Sequence, residues 1–108
     1  MTIAEQYVDA INSADIERLM DLFAANATVR HPTGIFEGKE AVRGFYENVV
    51  LAGQAIITID KQFNLDGVDV IQISSTSRLA EKDAAPLHAA DVFIISDNHI
   101  DELDIYYR

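Results

Sequence analysis

Cysteine is absent from this 108-residue chain, which excludes disulfides, thiolate nucleophiles and cysteine metal sites. Positive charge is scarce: 8 Lys and Arg face 18 Asp and Glu, a formal charge of −10. That field repels phosphate backbones and anionic lipid, so neither a nucleic-acid nor a membrane partner is expected. Its main role is to keep a small protein soluble, and a neutral organic ligand suits it best. No apolar run approaches the roughly 20 residues that a membrane helix needs. The first residues, MTIAEQYVDAI, carry acids and no basic flank, unlike a secretory signal, so the expected location is cytoplasmic. Three scattered histidines make no metal-ligand set, so no metal is expected. Gly34, Gly38 and Gly44 form no phosphate-binding fingerprint, and Ser74-Ser75-Thr76-Ser77 lacks a nucleophile elbow. Cofactors are therefore expected to be none.

What is present reads as one domain over residues 1–108, with no internal repeat or linker. Thr2 and Glu5 have capping-box spacing, and Ile3, Ala4, Tyr7, Val8 and Ile11 recur on one helical face. Asn12 to Asp15 breaks that helix and caps a second, whose face is Ile16, Leu19, Met20 and Phe23. A short strand over Ala27–Arg30 leads into His31-Pro32 and a turn at Thr33-Gly34. A third helix runs from about Lys39 to Ala52, presenting Ala41, Val42, Phe45, Tyr46, Val49 and Val50, with Gly53 as its cap. From Gln54 the period becomes that of strands. Ile57 and Ile59 alternate with polar residues, and Asp66-Gly67 signals a hairpin. Strands follow over Val68–Leu79, Leu87–Ser96 and Ile100–Tyr107, the last two joined by a turn at residues 97–99. Helices first and antiparallel strands after predict an α+β fold, with the helices gathered on one face of a curved sheet.

Two side chains stand out chemically. His31 sits at a strand end beside a rigid turn, and neutral imidazole is a competent general base. Asp91 lies within AADVFII, where a carboxylate is costly unless paired or protonated. Protonated, it donates to a developing enolate oxygen. Tyr7 belongs to the apolar face of the first helix, and its ring is core in any case. Leu103, Ile105 and Tyr107 share one face of the last strand. With Phe36, Phe45, Phe63 and Phe93 they are the expected lining of a pocket for a small hydrophobic molecule. Arg78 is expected to pair with an acid across the sheet or with the ligand. His88 alternates with its neighbours and so faces away from Asp91.

Three blocks resemble a known family: YVDAIN with Asp15 and Leu22-Phe23; ATVRHP with Gly38 and AVRGFY; and ADVF on a late strand. They span nearly the whole chain and resemble the nuclear-transport-factor-2-like superfamily, in particular ketosteroid isomerases and SnoaL-like polyketide cyclases. The resemblance implies a cone-shaped barrel of strongly curved antiparallel sheet, with three N-terminal helices on its concave face, and a homodimer. It places Tyr7 at the tyrosine and Asp91 at the protonated acid of an isomerase site. His31 falls where a carboxylate base would stand. The implied activity is cofactor-free acid–base catalysis on a small hydrophobic carbonyl compound, of isomerase or cyclase type, with His31, Asp91 and Tyr7 catalytic. A His31–Asp91 pair is the alternative mechanism. A ligand-binding or dimerisation domain without chemistry, and an epoxide hydrolase using Arg78 and Asp91, are the competing readings.

Overall fold

The capping box forms as its spacing predicts. Thr2 Oγ1 accepts the Glu5 N–H at 3.1 Å, and Glu5 Oε1 accepts the Thr2 N–H at 2.7 Å. This starts α1 (Ile3–Asn12) in a computed structural model that describes residues 1–108. Asp15 caps α2 (Ile16–Asp21) by accepting the Arg18 N–H. Then follow β1 (Phe23–His31), β2 (Gly34–Glu37), α3 (Lys39–Phe45) continuing as a π-helical turn (Tyr46–Leu51), β3 (Ala55–Leu65), β4 (Val68–Ser77), β5 (Leu87–Ser96) and β6 (His99–Tyr107). No helix is long and apolar enough to cross a membrane.

The fold is α+β, as expected, but the sheet differs from the antiparallel barrel. Its order is β2-β1-β6-β5-β4-β3, so β2 and β3 are open edges. It is mixed, because β1 runs parallel to β6 while every other pair is antiparallel. The parallel pairing also corrects the end of α2. Phe23 fits the helical period, yet it begins β1 opposite Ile100, and the Ile100 N–H donates to Leu22 O at 2.7 Å. Local period and long-range ladder compete for one residue, and the ladder wins. β2 is a strand where a turn alone was expected, since β1 offers it an edge from Thr28 to His31.

The third helical segment spans the expected residues, Lys39 to Leu51, but is less uniform than its apolar pattern suggests. The π turn changes the residue spacing after Phe45. Val49 is then 46% exposed instead of packed. Gly53 does not take the left-handed cap conformation; Gln54 does, at φ +51°. Gly53 serves a close approach instead, because a Cβ there would lie 3.1 Å from Val49 O. Both hairpin turns follow their chemistry. Gly67 has φ +74°, and Asp97 and Asn98 have φ +50° and +60°, the type I′ pattern. The second turn is thus two residues, and His99 joins β6.

α1 is tied to the sheet at both ends. Asn12 closes a two-way bond with Ile57 of the edge strand β3, through Nδ2 to O at 2.9 Å and N–H to Oδ1 at 2.7 Å. Asp69 of β4 is buried and accepts the Ala4 N–H (3.2 Å) and Asn64 Nδ2 (2.8 Å). It satisfies a helix N-terminal donor that the capping box does not reach. Asp69→Ala is expected to cost about 1–3 kcal/mol, the penalty for an unpaired buried donor. Asp69→Asn, which keeps an acceptor, is expected to cost less. Urea denaturation with an unchanged slope checks this, and equal losses in both variants would contradict it.

Candidate acid–base site

Between the helices and the sheet lies an open cavity of about 470 Å³. Of its 22 lining residues 14 are hydrophobic, so most of any occupant meets apolar surface. Tyr7, His31 and Asp91 all line it, together with Phe45, Ile105 and Tyr107.

Asp91 occupies the middle of β5, in register with Ile71 of β4 and Ile105 of β6. Strand alternation turns it inward with Ala89 and Phe93. It is 1% exposed, and its Oδ1 has no hydrogen-bond partner. Removal from water disfavours the charged form and raises its carboxyl to about 7. Near neutral pH this group is poised between proton donor and proton acceptor.

Tyr7 Oη lies 2.8 Å from Tyr46 Oη at the start of the π turn. Both rings are buried and meet edge to face at 5.9 Å between centroids. Burial raises both phenols well above the ordinary tyrosine range, so they remain protonated. The direction of their bond follows from satisfaction. Tyr46 makes no other side-chain hydrogen bond, and only Tyr7 of the two lines the cavity. If Tyr7 donated, the Tyr46 proton would be buried without an acceptor. Tyr46 therefore donates, and the Tyr7 proton faces the cavity. Sequence reasoning had placed Tyr46 only on a core face. The available signal was a tyrosine, not a phenylalanine, at a buried helical position, since its hydroxyl needs a partner.

His31 ends β1, paired with Gly34 of β2 across the Pro32-Thr33 turn. The Thr33 N–H donates to its Nδ1 at 3.2 Å, and Thr33 Oγ1 lies 2.8 Å from the same atom. Its Nε2 lies 2.6 Å from Tyr107 Oη. The ring packs on Phe45 at 4.9 Å, and partial burial lowers its proton affinity. Both nitrogens are thus engaged within the protein.

The remaining expected lining residues divide. Phe45, Ile105 and Tyr107 reach the cavity; Phe36, Phe63, Phe93, Leu103 and Arg78 do not. Phe36 stacks behind Phe45 at 4.7 Å. Phe93 and Leu103 share the inward faces but lie deeper, in the closed core, where Phe93 meets Tyr7 edge-on at 5.0 Å. Phe63 is 55% exposed on the opposite face. A bulge between Ile59 and Lys61 reverses the alternation, so Gln62 turns inward to Thr2 and Glu5 while Phe63 turns out. Arg78 donates to Asn12 O at the C-terminus of α1, where a cation complements the helix dipole. Lining residues not foreseen include Val49, Ile57, Ile73, Ser75 and Lys82.

A six-stranded mixed sheet and its helices, which bring a buried carboxyl, a tyrosine and a histidine to one cavity, define a small α+β pocket domain. The SnoaL-like domain model matches residues 4–103, so the chain belongs to the SnoaL-like family of the nuclear-transport-factor-2-like superfamily. No curated protein matches the sequence. Among solved structures, a Sinorhizobium meliloti protein assigned as a polyketide cyclase superposes with TM-score 0.83 at 20% identity, over 95% of this chain and 92% of that one. An assigned ketosteroid isomerase from Kribbella flavida superposes with TM-score 0.84 at 14% identity, over 98% and 75%. The epoxide hydrolase/cyclase-like enzyme SalBIII of salinomycin pyran-ring formation gives TM-score 0.82 at 19% identity, over 98% and 88%. At these identities the likeness is one of fold.

Proposed function

We propose that this domain is a cofactor-independent acid–base catalyst that moves a proton α to the carbonyl of a small hydrophobic compound. The observation that carries this reading is the Asp91 carboxyl: buried, unpaired at Oδ1, and lining the same cavity as Tyr7. His31 stands where the family resemblance puts a carboxylate base, but Nδ1 accepts from Thr33 and Nε2 meets Tyr107. The acceptor role passes to Asp91. Its carboxylate takes the α-proton, the C–H electron pair moves toward the carbonyl, and Tyr7 donates to the resulting enolate oxygen. The proton then returns to carbon, as in isomerisation, or the enolate carbon attacks a second carbonyl carbon of the same molecule, whose C=O π pair moves to oxygen and takes the proton back from Asp91, as in cyclisation. Epoxide opening loses its candidate arginine, because Arg78 lies at the end of α1.

The test needs no knowledge of the product. Ketones of graded size are incubated with the protein in D₂O, and α-deuterium incorporation is followed by NMR. Catalysed exchange that disappears in Asp91→Asn is the expected result. Ligands that bind without exchange would support the second reading, a binding domain, which the imidazole at the base position favours.

The proposal includes a homodimer through the outer sheet face. Phe63, Val70 and Val92 align across β3, β4 and β5, with Leu65, Val68 and Ile94 in the next row. Phe63 and Leu65 are 55% and 70% exposed, and a contiguous apolar sheet face calls for cover. Sedimentation at micromolar concentration is expected to show a dimer for the wild type and a monomer for Phe63→Asp/Ile94→Lys. A monomeric wild type would remove the interface.

A further inference from the structure

Thr33, His31 and Tyr107 form a hydrogen-bonded chain from the surface to the cavity wall, and the reaction just proposed leaves it unused. Its polarity can be read from one end. The backbone N–H of Thr33 donates to His31 Nδ1, and a ring nitrogen that accepts an N–H carries no proton. In the neutral ring the proton is therefore on Nε2. That nitrogen is 2.6 Å from Tyr107 Oη, so the imidazole donates and the phenol accepts. The Tyr107 proton is left over, and Tyr107 has no other side-chain partner. Its ring meets the imidazole edge-on at 5.1 Å, and it lines the same cavity as Asp91 and Tyr7. Partial burial lowers the proton affinity of the imidazole and raises that of the phenol, which agrees with this direction.

We propose that Tyr107 is a further catalytic residue, a second hydrogen-bond donor to an oxygen of the bound carbonyl compound. His31 is then a positioning residue that acts through it. A donor that itself accepts a hydrogen bond is the stronger donor, so the imidazole N–H sharpens the phenol. Thr33 sets the tautomer on which this depends. The arrangement parallels the Tyr46–Tyr7 pair, and two relayed phenols then share one cavity with Asp91. No proton leaves either chain; only hydrogen bonds strengthen as negative charge gathers on the substrate oxygen. This inference rests on the proposed reaction, and its test has an arm that does not.

That arm is ¹⁵N NMR of histidine-labelled protein, with His31 assigned by its loss in His31→Gln. The expected signature at neutral pH is an unprotonated Nδ1 and a protonated Nε2, with the Nε2 signal displaced in Tyr107→Phe. A proton on Nδ1 would reverse the chain and overturn the proposal. In the kinetic arm, Tyr107→Phe is expected to slow α-exchange about tenfold or more, the worth of one hydrogen bond to developing charge. His31→Gln, whose amide can still donate, is expected to retain more activity than His31→Leu. An unchanged rate in Tyr107→Phe, or equal rates in the two His31 variants, would overturn it. If the wild type exchanges no α-proton, the reaction fails by itself. The chain is then decided by the tautomer and by 2-naphthol affinity, expected to fall about tenfold in Tyr107→Phe. Unchanged affinity would overturn the proposal in that case too.

Discussion

Asp91→Asn is expected to make the protein more stable at pH 8 while removing about 10²–10⁴-fold of its turnover, the usual contribution of a positioned base. The two effects share one cause. Asp91 is buried without a partner for Oδ1, and its carboxyl is raised from 3.8 to about 7. The folded state therefore holds a proton that the unfolded chain has already released. The sign follows directly: the wild type is most favoured below about pH 4 with respect to this group. It loses that advantage as pH rises through about 7, and the loss then levels off. The full difference amounts to at most about 4 kcal/mol. Asparagine removes the charge and flattens this dependence. Denaturation at pH 5 and pH 8 measures it; a variant less stable than the wild type at pH 8 would show that Asp91 has a partner in solution. The activity profile separates two mechanisms. A base must be ionised, so kcat/KM is expected to rise through about pH 7. A profile that falls there would make Asp91 the protonated donor instead.

The tyrosine pair gives the second large effect. Tyr7→Phe removes the cavity-facing donor and is expected to lower turnover about 10²–10³-fold, as loss of one oxyanion donor does. It also strands the Tyr46 hydroxyl in the core, at a cost of about 1–3 kcal/mol. Tyr46→Phe removes only the group behind the donor, so turnover is expected to fall much less. Removing both hydroxyls is expected to destabilise less than the sum of the single changes, because no buried donor is then left over. A larger kinetic loss in Tyr46→Phe than in Tyr7→Phe would mean that Tyr46, not Tyr7, faces the substrate.

Much of the local architecture was legible in the sequence because its causes are local. The Thr2–Glu5 spacing makes a capping box, Asp66-Gly67 makes a turn, and the apolar run at Leu87–Ser96 makes a strand with Asp91 turned inward. The family blocks likewise pointed to His31, Tyr7 and Asp91, which do share a cavity. Phe63 shows where such reading ends. Period 2 counted from Ile57 and Ile59 puts it inside, and one bulged residue puts it outside. Phe23 shows the same for the helix period, overridden by a parallel neighbour 77 residues away.

Sequence by itself determined the acidic, cysteine-free character of this protein, its α+β order and the placing of a carboxyl in an apolar strand. Tertiary structure alone decided what that carboxyl and its neighbours can do. Tyr46 and Tyr107 stand 39 and 76 residues from the groups they touch. Only the closed fold brings their hydroxyls to Tyr7 and His31. The imidazole at residue 31 read as a free base because a sequence shows its type and its turn. It does not show that Thr33 occupies one nitrogen and a strand at the far end of the chain occupies the other. Hydrogen bonds give a titratable group its direction, and long-range hydrogen bonds exist only once the chain has packed.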